Sequence, residues 1–107
     1  MKKIIWQGSS YKDLVAFPED ARRDAGYQLN KIQHGEEPND WKPMPAIGSG
    51  VREIRIKEAS GSFRVIYVAN MADNIYVLHA FQKKTQKTNL QDIHLAQDRF
   101  KEIKGTS

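Results

Sequence analysis

The sequence contains no cysteine, which excludes disulfide staples, thiolate metal ligands and cysteine nucleophiles. It also lacks any apolar run near the roughly 20 residues that a membrane-spanning helix needs. The opening Met1-Lys2-Lys3-Ile4-Ile5-Trp6 is basic and then apolar, but its apolar part is far shorter than the core of a secretion signal. A soluble, cytoplasmic protein with no membrane partner is expected. No glycine-rich phosphate loop precedes a helix, which argues against a nucleotide-cofactor enzyme. His34, His79 and His94 are far apart in sequence, and no His/Asp/Glu group has zinc or calcium spacing, so neither metal nor cofactor is expected. No serine is flanked as in a nucleophile elbow. Repeats, low-complexity tracts and linkers are absent, and 107 residues suit one domain spanning 1–107.

What the chain does have is positive charge, unevenly placed. Of the net +4, residues 1–41 contribute −1 and residues 42–107 contribute +5. A basic C-terminal two-thirds suits an anionic partner, of which nucleic acid is the commonest, although charge also serves solubility.

The hydrophobic pattern predicts the elements in order. Lys3-Ile4-Ile5-Trp6 reads as an opening strand. Ser9 or Ser10 can cap a short helix carrying Leu14, Val15 and Phe17. Pro18-Glu19-Asp20 makes a good first turn for a second helix, whose Ala21, Ala25, Leu29 and Ile32 recur at helical spacing until Gly35 ends it. Residues 36–50, with Pro38, Pro43, Pro45, Gly48 and Gly50, read as a long loop, pinned to the body by Trp41 and Met44. In Val51–Lys57, Ile54 and Ile56 share a strand face with Arg52, and Glu53, Arg55 and Lys57 share the other.

The strongest signal is the stretch from Ser62 to Thr88. Two β-branched and aromatic runs, Ser62–Ala69 and Ile75–Phe81, flank Asn70-Met71-Ala72-Asp73-Asn74, predicting a hairpin with a five-residue connection. Their near-continuous apolar character predicts cover on much of both faces. Thr88 with Gln91, or Asn89 with Asp92, offers a cap for a final helix with Leu90, Ile93, Ala96, Phe100 and Ile103 on one face. The expected fold class is α+β: a small, antiparallel-dominated sheet with an N-terminal helical hairpin and a C-terminal helix, in the order β-α-α-β-β-β-α.

Chemistry has one visible home, a constellation of cations. Arg55 and Arg64 lie on successive strands, and Lys83, Lys84 and Lys87 follow the last strand. Such groups neutralise RNA phosphates and stabilise charge on a phosphoryl group in flight. RNA carries its own nucleophile, the 2′-OH, so cleavage needs only proton transfer and charge stabilisation. Each residue also has a structural reading. Arg64 can pair with Glu53 on the neighbouring strand, Arg55 can be a solvated strand residue, and the lysines can blunt a sheet edge. His79, read as sharing a face with Val77 and Phe81, can be a hydrogen-bonded core histidine. Tyr67 and Tyr76 fit a core edge better than a base-stacking platform.

The ordered set Val51–Ile56, Phe63–Tyr67, Val77–Thr88 and Asp92–Arg99 resembles the phage-related, HigB-like branch of the RelE/ParE toxin superfamily. Trp6, Asp13-Leu14, Phe17-Pro18, Leu29, Gly35 and Lys42-Pro43 fit the same pattern. The resemblance implies the toxin of a type II toxin–antitoxin pair, a metal-independent endoribonuclease that cuts messenger RNA, usually on the ribosome. It implies a helix-turn-helix antitoxin as partner, with operator DNA bound only through the antitoxin complex. By motif position, Arg64, Lys83, Lys84 and His79 would be catalytic, and Arg55, Lys87, Lys57 and Arg99 would bind RNA. Asn89 departs from the pattern, standing where relatives often have proline; both residues start helices. Two alternatives share the resemblance: a ParE-like inhibitor of DNA gyrase, and a non-catalytic remnant that binds RNA or antitoxin.

Overall fold

The computed structural model describes residues 1–71 and 73–105. The elements run β1 (Lys3–Trp6), α1 (Ser10–Val15), α2 (Glu19–Gln33), β2 (Trp41–Pro43), β3 (Val51–Glu58), β4 (Gly61–Met71), β5 (Asn74–Lys83) and α3 (Leu90–Gly105). The five strands form one sheet in the order β1-β5-β4-β3-β2. The β1–β5 pair is parallel, and the other pairs are antiparallel. The α+β class and the helical hairpin are as the sequence predicts.

Alternation along the strands divides the core between the two sheet faces. Ile54, Ile56, Phe63, Val65 and Tyr67 pack with Leu14, Phe17, Ala21, Ala25, Leu29 and Ile32 of the helical hairpin. Val51, Ile66, Val68 and Leu78 face the other way, against Ala96, Phe100 and Ile103 of α3. Helix α2 begins after Pro18, whose missing N–H is one no helix would bond there. It ends in a Schellman turn: Gly35 takes φ 81°, Glu36 N–H donates to the Lys31 carbonyl, and Gly35 N–H donates to that of Ile32. In α1, Leu14 is buried as expected, but Val15 is exposed.

Three departures from the expected pattern matter for the site. First, the 36–50 loop contains a strand. Trp41, Lys42 and Pro43 pair with Ile54, Glu53 and Arg52. Three residues are too short to show a period, and proline is tolerated there because β2 is a sheet edge. Second, the connection between β4 and β5 is tighter than five residues, because β4 continues to Met71 and β5 starts at Asn74. Asp73 turns the chain with φ 59°, and Ala72 of the expected turn lies outside the described residues. Third, Ile66 pairs with His79 while Tyr67 pairs with Val77. The extra residue, Leu78, makes a bulge that breaks the period of two. His79 therefore stands with Phe81 on the α3 side, and Val77 packs on the helical-hairpin side.

The rest of the expected loop is packed, with Met44 and Ile47 buried in the α3-side core. A Cβ at Gly48 would stand 2.2 Å from the Phe100 ring. Gly48→Ala is therefore expected to destabilise the fold by about 1–3 kcal/mol through overpacking. Thermal unfolding checks this, at about 4–8 °C of melting temperature per kcal/mol in a domain this size. An unchanged melting temperature would mean that Phe100 moves aside without cost.

Candidate functional site

The registers place three rows of side chains across the α3-side face of the sheet. Lys42, Glu53, Ile66 and His79 form one row, Arg55, Arg64 and Phe81 the next, and Lys57, Ser62 and Lys83 the last. Neighbours within a row are about 4.8 Å apart, and rows about 6.7 Å apart. Helix α3 covers Val51, Ile66 and Val68 and leaves Lys57 exposed and Arg55 and Lys83 half-buried, while Arg64 is itself buried between them. Arg55, Arg64, Lys57 and Lys83, distant in sequence, thus form one patch.

Beside the patch, in the first row, lies Glu53, which is wholly buried. Its Oε1 stands 3.5 Å from Arg64 Nε and 3.9 Å from Lys42 Nζ, while Oε2 accepts a hydrogen bond from the Thr88 hydroxyl at 2.8 Å. A carboxylate removed from water needs such compensation. The compensation is mainly Coulombic, because Oε1 and Arg64 Nε form no well-aligned hydrogen bond. Arg64 Nη1 donates instead to the Phe63 carbonyl at 2.9 Å. The pairing of Arg64 with Glu53 is one of the structural readings the sequence offered. One carboxylate does not neutralise Arg64, Lys42, Arg55 and Lys83 together.

Burial dominates the titration of the patch, with neighbouring charges second. Burial lowers the Arg64 guanidinium below its ordinary value; Glu53 opposes the shift and Arg55 adds to it. Lys83 is also lowered, first by desolvation and then by Arg64, with Lys42 and Arg55 acting the same way and Glu53 opposing. Arg55 has a distant carboxylate, Asp40, at 3.9 Å.

Lys84 and Lys87 lie exposed on the loop after β5. With Phe81, Lys83, Thr88 and Asp92 they line a small cavity of about 90 Å³. The loop is tied down at its far end, where Thr88 binds Glu53 and Asn89 caps α3 by accepting from Asp92 N–H at 2.9 Å. Of the two caps the sequence offered, Asn89 is the one used, which leaves Thr88 for the buried carboxylate.

His79 and Arg99 stand differently from the other predicted residues. His79 is buried, its Nε2 lies 2.7 Å from Asp92 Oδ1, and its ring stacks on Phe81 at 4.7 Å. The carboxylate is placed to accept a proton from Nε2, and Nδ1 is buried without a well-aligned partner. This is the packed, hydrogen-bonded histidine of the structural reading, and it also contributes to the lining of a cavity with Asp13, Phe17 and Phe81. Arg99 donates to the Leu78 carbonyl at 2.8 Å and to the Ser9 hydroxyl at 3.1 Å. It joins α3 to β5 and α1, away from the patch. Sequence reasoning missed Lys42, because its strand has no period, and treated Asp92 only as a cap. Among the described residues no group of His, Asp and Glu is placed to hold a metal ion, and no helix is long and apolar enough to cross a membrane.

Helical hairpin, antiparallel-dominated sheet and C-terminal helix, with cations gathered at one end of the sheet, make a small α+β protein consistent with the RelE-like fold. The sequence profile of the family described as phage derived protein Gp49-like (DUF891) matches residues 12–101. The chain belongs to this Gp49-like family, a phage-derived, RelE-like family associated with toxin–antitoxin pairs. The match spans every site residue named above. No curated protein matches the chain.

Proposed function

We propose that the chain is the toxin of a type II toxin–antitoxin pair, in the HigB-like branch, and that it cuts messenger RNA, most readily on the ribosome. The observation that carries this reading is the patch in which Arg55, Arg64 and Lys83 share one sheet face beside a single buried carboxylate. A helix-turn-helix antitoxin is the proposed partner, and operator DNA is bound through that complex.

In this reading Arg55, Lys57, Lys84 and Lys87 hold the RNA backbone by its phosphates. The 2′-oxygen attacks the adjacent phosphorus, its proton passes to water, and the 5′-oxygen leaves. Arg64 and Lys84 offset the extra negative charge on the phosphoryl oxygens. Lys83 protonates the leaving oxygen, because an ammonium lowered from its ordinary range is a readier donor. The products carry a 2′,3′-cyclic phosphate and a 5′-hydroxyl. His79 and Asp92 act indirectly, by fixing the start of α3 and the floor under Phe81.

The test is cleavage of a message by the purified chain, with and without translating ribosomes, alongside a gyrase supercoiling assay. Cleavage with unimpaired supercoiling supports the reading; gyrase inhibition without cleavage supports the ParE-like alternative. RNA binding should also weaken steeply with salt, by about 300-fold between 50 and 200 mM if six phosphates of a single strand are contacted. Fluorescence anisotropy checks this, and an affinity flat across that range would contradict a phosphate-dominated interface.

A further inference from the structure

A second cavity, of about 230 Å³, lies on the opposite face of the sheet and towards its other end. It is walled by Ile32 and the chain beyond α2, and by Arg52, Tyr67 and Lys2. Arg52 and Tyr67 are register partners on β3 and β4, so their side chains stand together on the helical-hairpin side. None of the cation-patch residues lines it.

The feature that needs an occupant is the Tyr67 hydroxyl. Tyr67 is 1% exposed; the Arg52 guanidinium approaches its oxygen, but the hydroxyl's own proton meets no well-aligned acceptor. Burial raises its pKa, while the nearby Arg52 guanidinium opposes the shift, so it remains an O–H donor at neutral pH. A buried hydroxyl without an acceptor is costly. Two further donors face the same space. Arg52 commits Nη1 to Glu37 at 2.6 Å, its ring-facing surface to Trp41 at 4.0 Å and part of its remaining fork to the Tyr67 oxygen, which still leaves guanidinium N–H capacity for a ligand. Lys2 gives one ammonium proton to the Ala69 carbonyl at 2.8 Å and keeps the others. The three donors are suited to a carboxylate.

The lining also carries Glu36 and Glu37, at the negative end of α2. Two cations against two carboxylates give a bare anion little net attraction. A molecule with a carboxylate and an ammonium group matches both halves, and Ile32 offers an apolar wall between them. The volume is below the roughly 300–1,000 Å³ of drug-sized sites. We infer that this cavity binds a small zwitterion of the α-amino-acid type. The carboxylate sits on Tyr67, Arg52 and Lys2, and the ammonium faces Glu36 and Glu37. This site is independent of the proposed RNA chemistry.

Titration of the isotope-labelled full chain, followed by amide NMR shifts, tests it. The probes are L-valine, isovalerate (the same skeleton without the amine) and isobutylamine (without the carboxylate). Saturable shifts are expected with L-valine, at Gly35, Gly50 and Asn70 but not at Lys83 or Lys84. The single-function probes should bind at least about tenfold more weakly, and Tyr67→Phe, which removes only the buried hydroxyl, should cost about tenfold in affinity while keeping the fold. Three results would overturn the inference: no saturation with L-valine at about 50 mM, isovalerate binding as tightly as L-valine, or Tyr67→Phe binding unchanged. The first would mark the cavity as a hydration site, and the second as a plain anion site.

Discussion

Lys83→Arg is expected to keep RNA binding within about threefold of wild type and to lose about 10²–10⁴ in cleavage rate, the usual range for a positioned proton donor. The substitution keeps the positive charge that phosphate contact requires. It removes the transferable proton, because a guanidinium does not release one near neutral pH. Lysine is fitted to the task here by its neighbours. Desolvation and the nearby Arg64 lower its pKa, with Glu53 opposing. The sign then fixes the pH behaviour: as pH rises, the ammonium is lost earlier than in an ordinary lysine, so cleavage falls on the alkaline side below the usual lysine range. Rates measured across pH, with single-turnover message, check both statements. If Lys83→Arg cuts as fast as wild type, Lys83 contributes only charge.

Arg64→Ala is expected to destabilise the fold by about 3–5 kcal/mol, because it leaves Glu53 buried without its closest guanidinium. Lys42, at 3.9 Å and half-exposed, is a partial substitute. Loss of activity in Arg64→Ala would therefore not by itself identify a catalytic arginine. The informative form is a double-mutant cycle with Glu53→Gln, which removes the stranded charge but keeps an acceptor for Thr88. The double variant should recover a large part of the lost stability, with a coupling energy of about 1–3 kcal/mol in denaturant titrations. Strict additivity would show that the 3.5 Å approach carries no energy. If the refolded double variant still fails to cut RNA, the loss belongs to chemistry rather than to folding.

The sequence carried the fold class well, because its strands obey simple periods. Ile54 and Ile56 do fall on the face opposite Glu53 and Arg55, and Ala21, Ala25, Leu29 and Ile32 are buried along one side of α2. The misses have physical reasons. Strand β2 is set by pairing to β3 rather than by its own residues, so Lys42 looked like loop. The bulge at Leu78 flips His79 to the other side of the sheet, and a period-two reading cannot see an inserted residue. The cations were visible one by one, but their meeting depends on the registers that align Arg55 with Arg64 and Ser62 with Lys83. Arg99, grouped with them by motif, spends its guanidinium on Leu78 and Ser9. Glu53 was legible as a partner for Arg64 but not as the point where Thr88 ties the lysine-rich loop to the sheet.

The most direct test of the proposed chemistry is cleavage of a ribosome-bound message carrying a single 2′-deoxynucleotide at the scissile position. This message is expected to stay intact at that position while its all-ribose counterpart is cut, leaving a 2′,3′-cyclic phosphate and a 5′-hydroxyl. Cleavage at the deoxy position, or an all-ribose message left whole by the folded protein both on and off the ribosome, would contradict that chemistry.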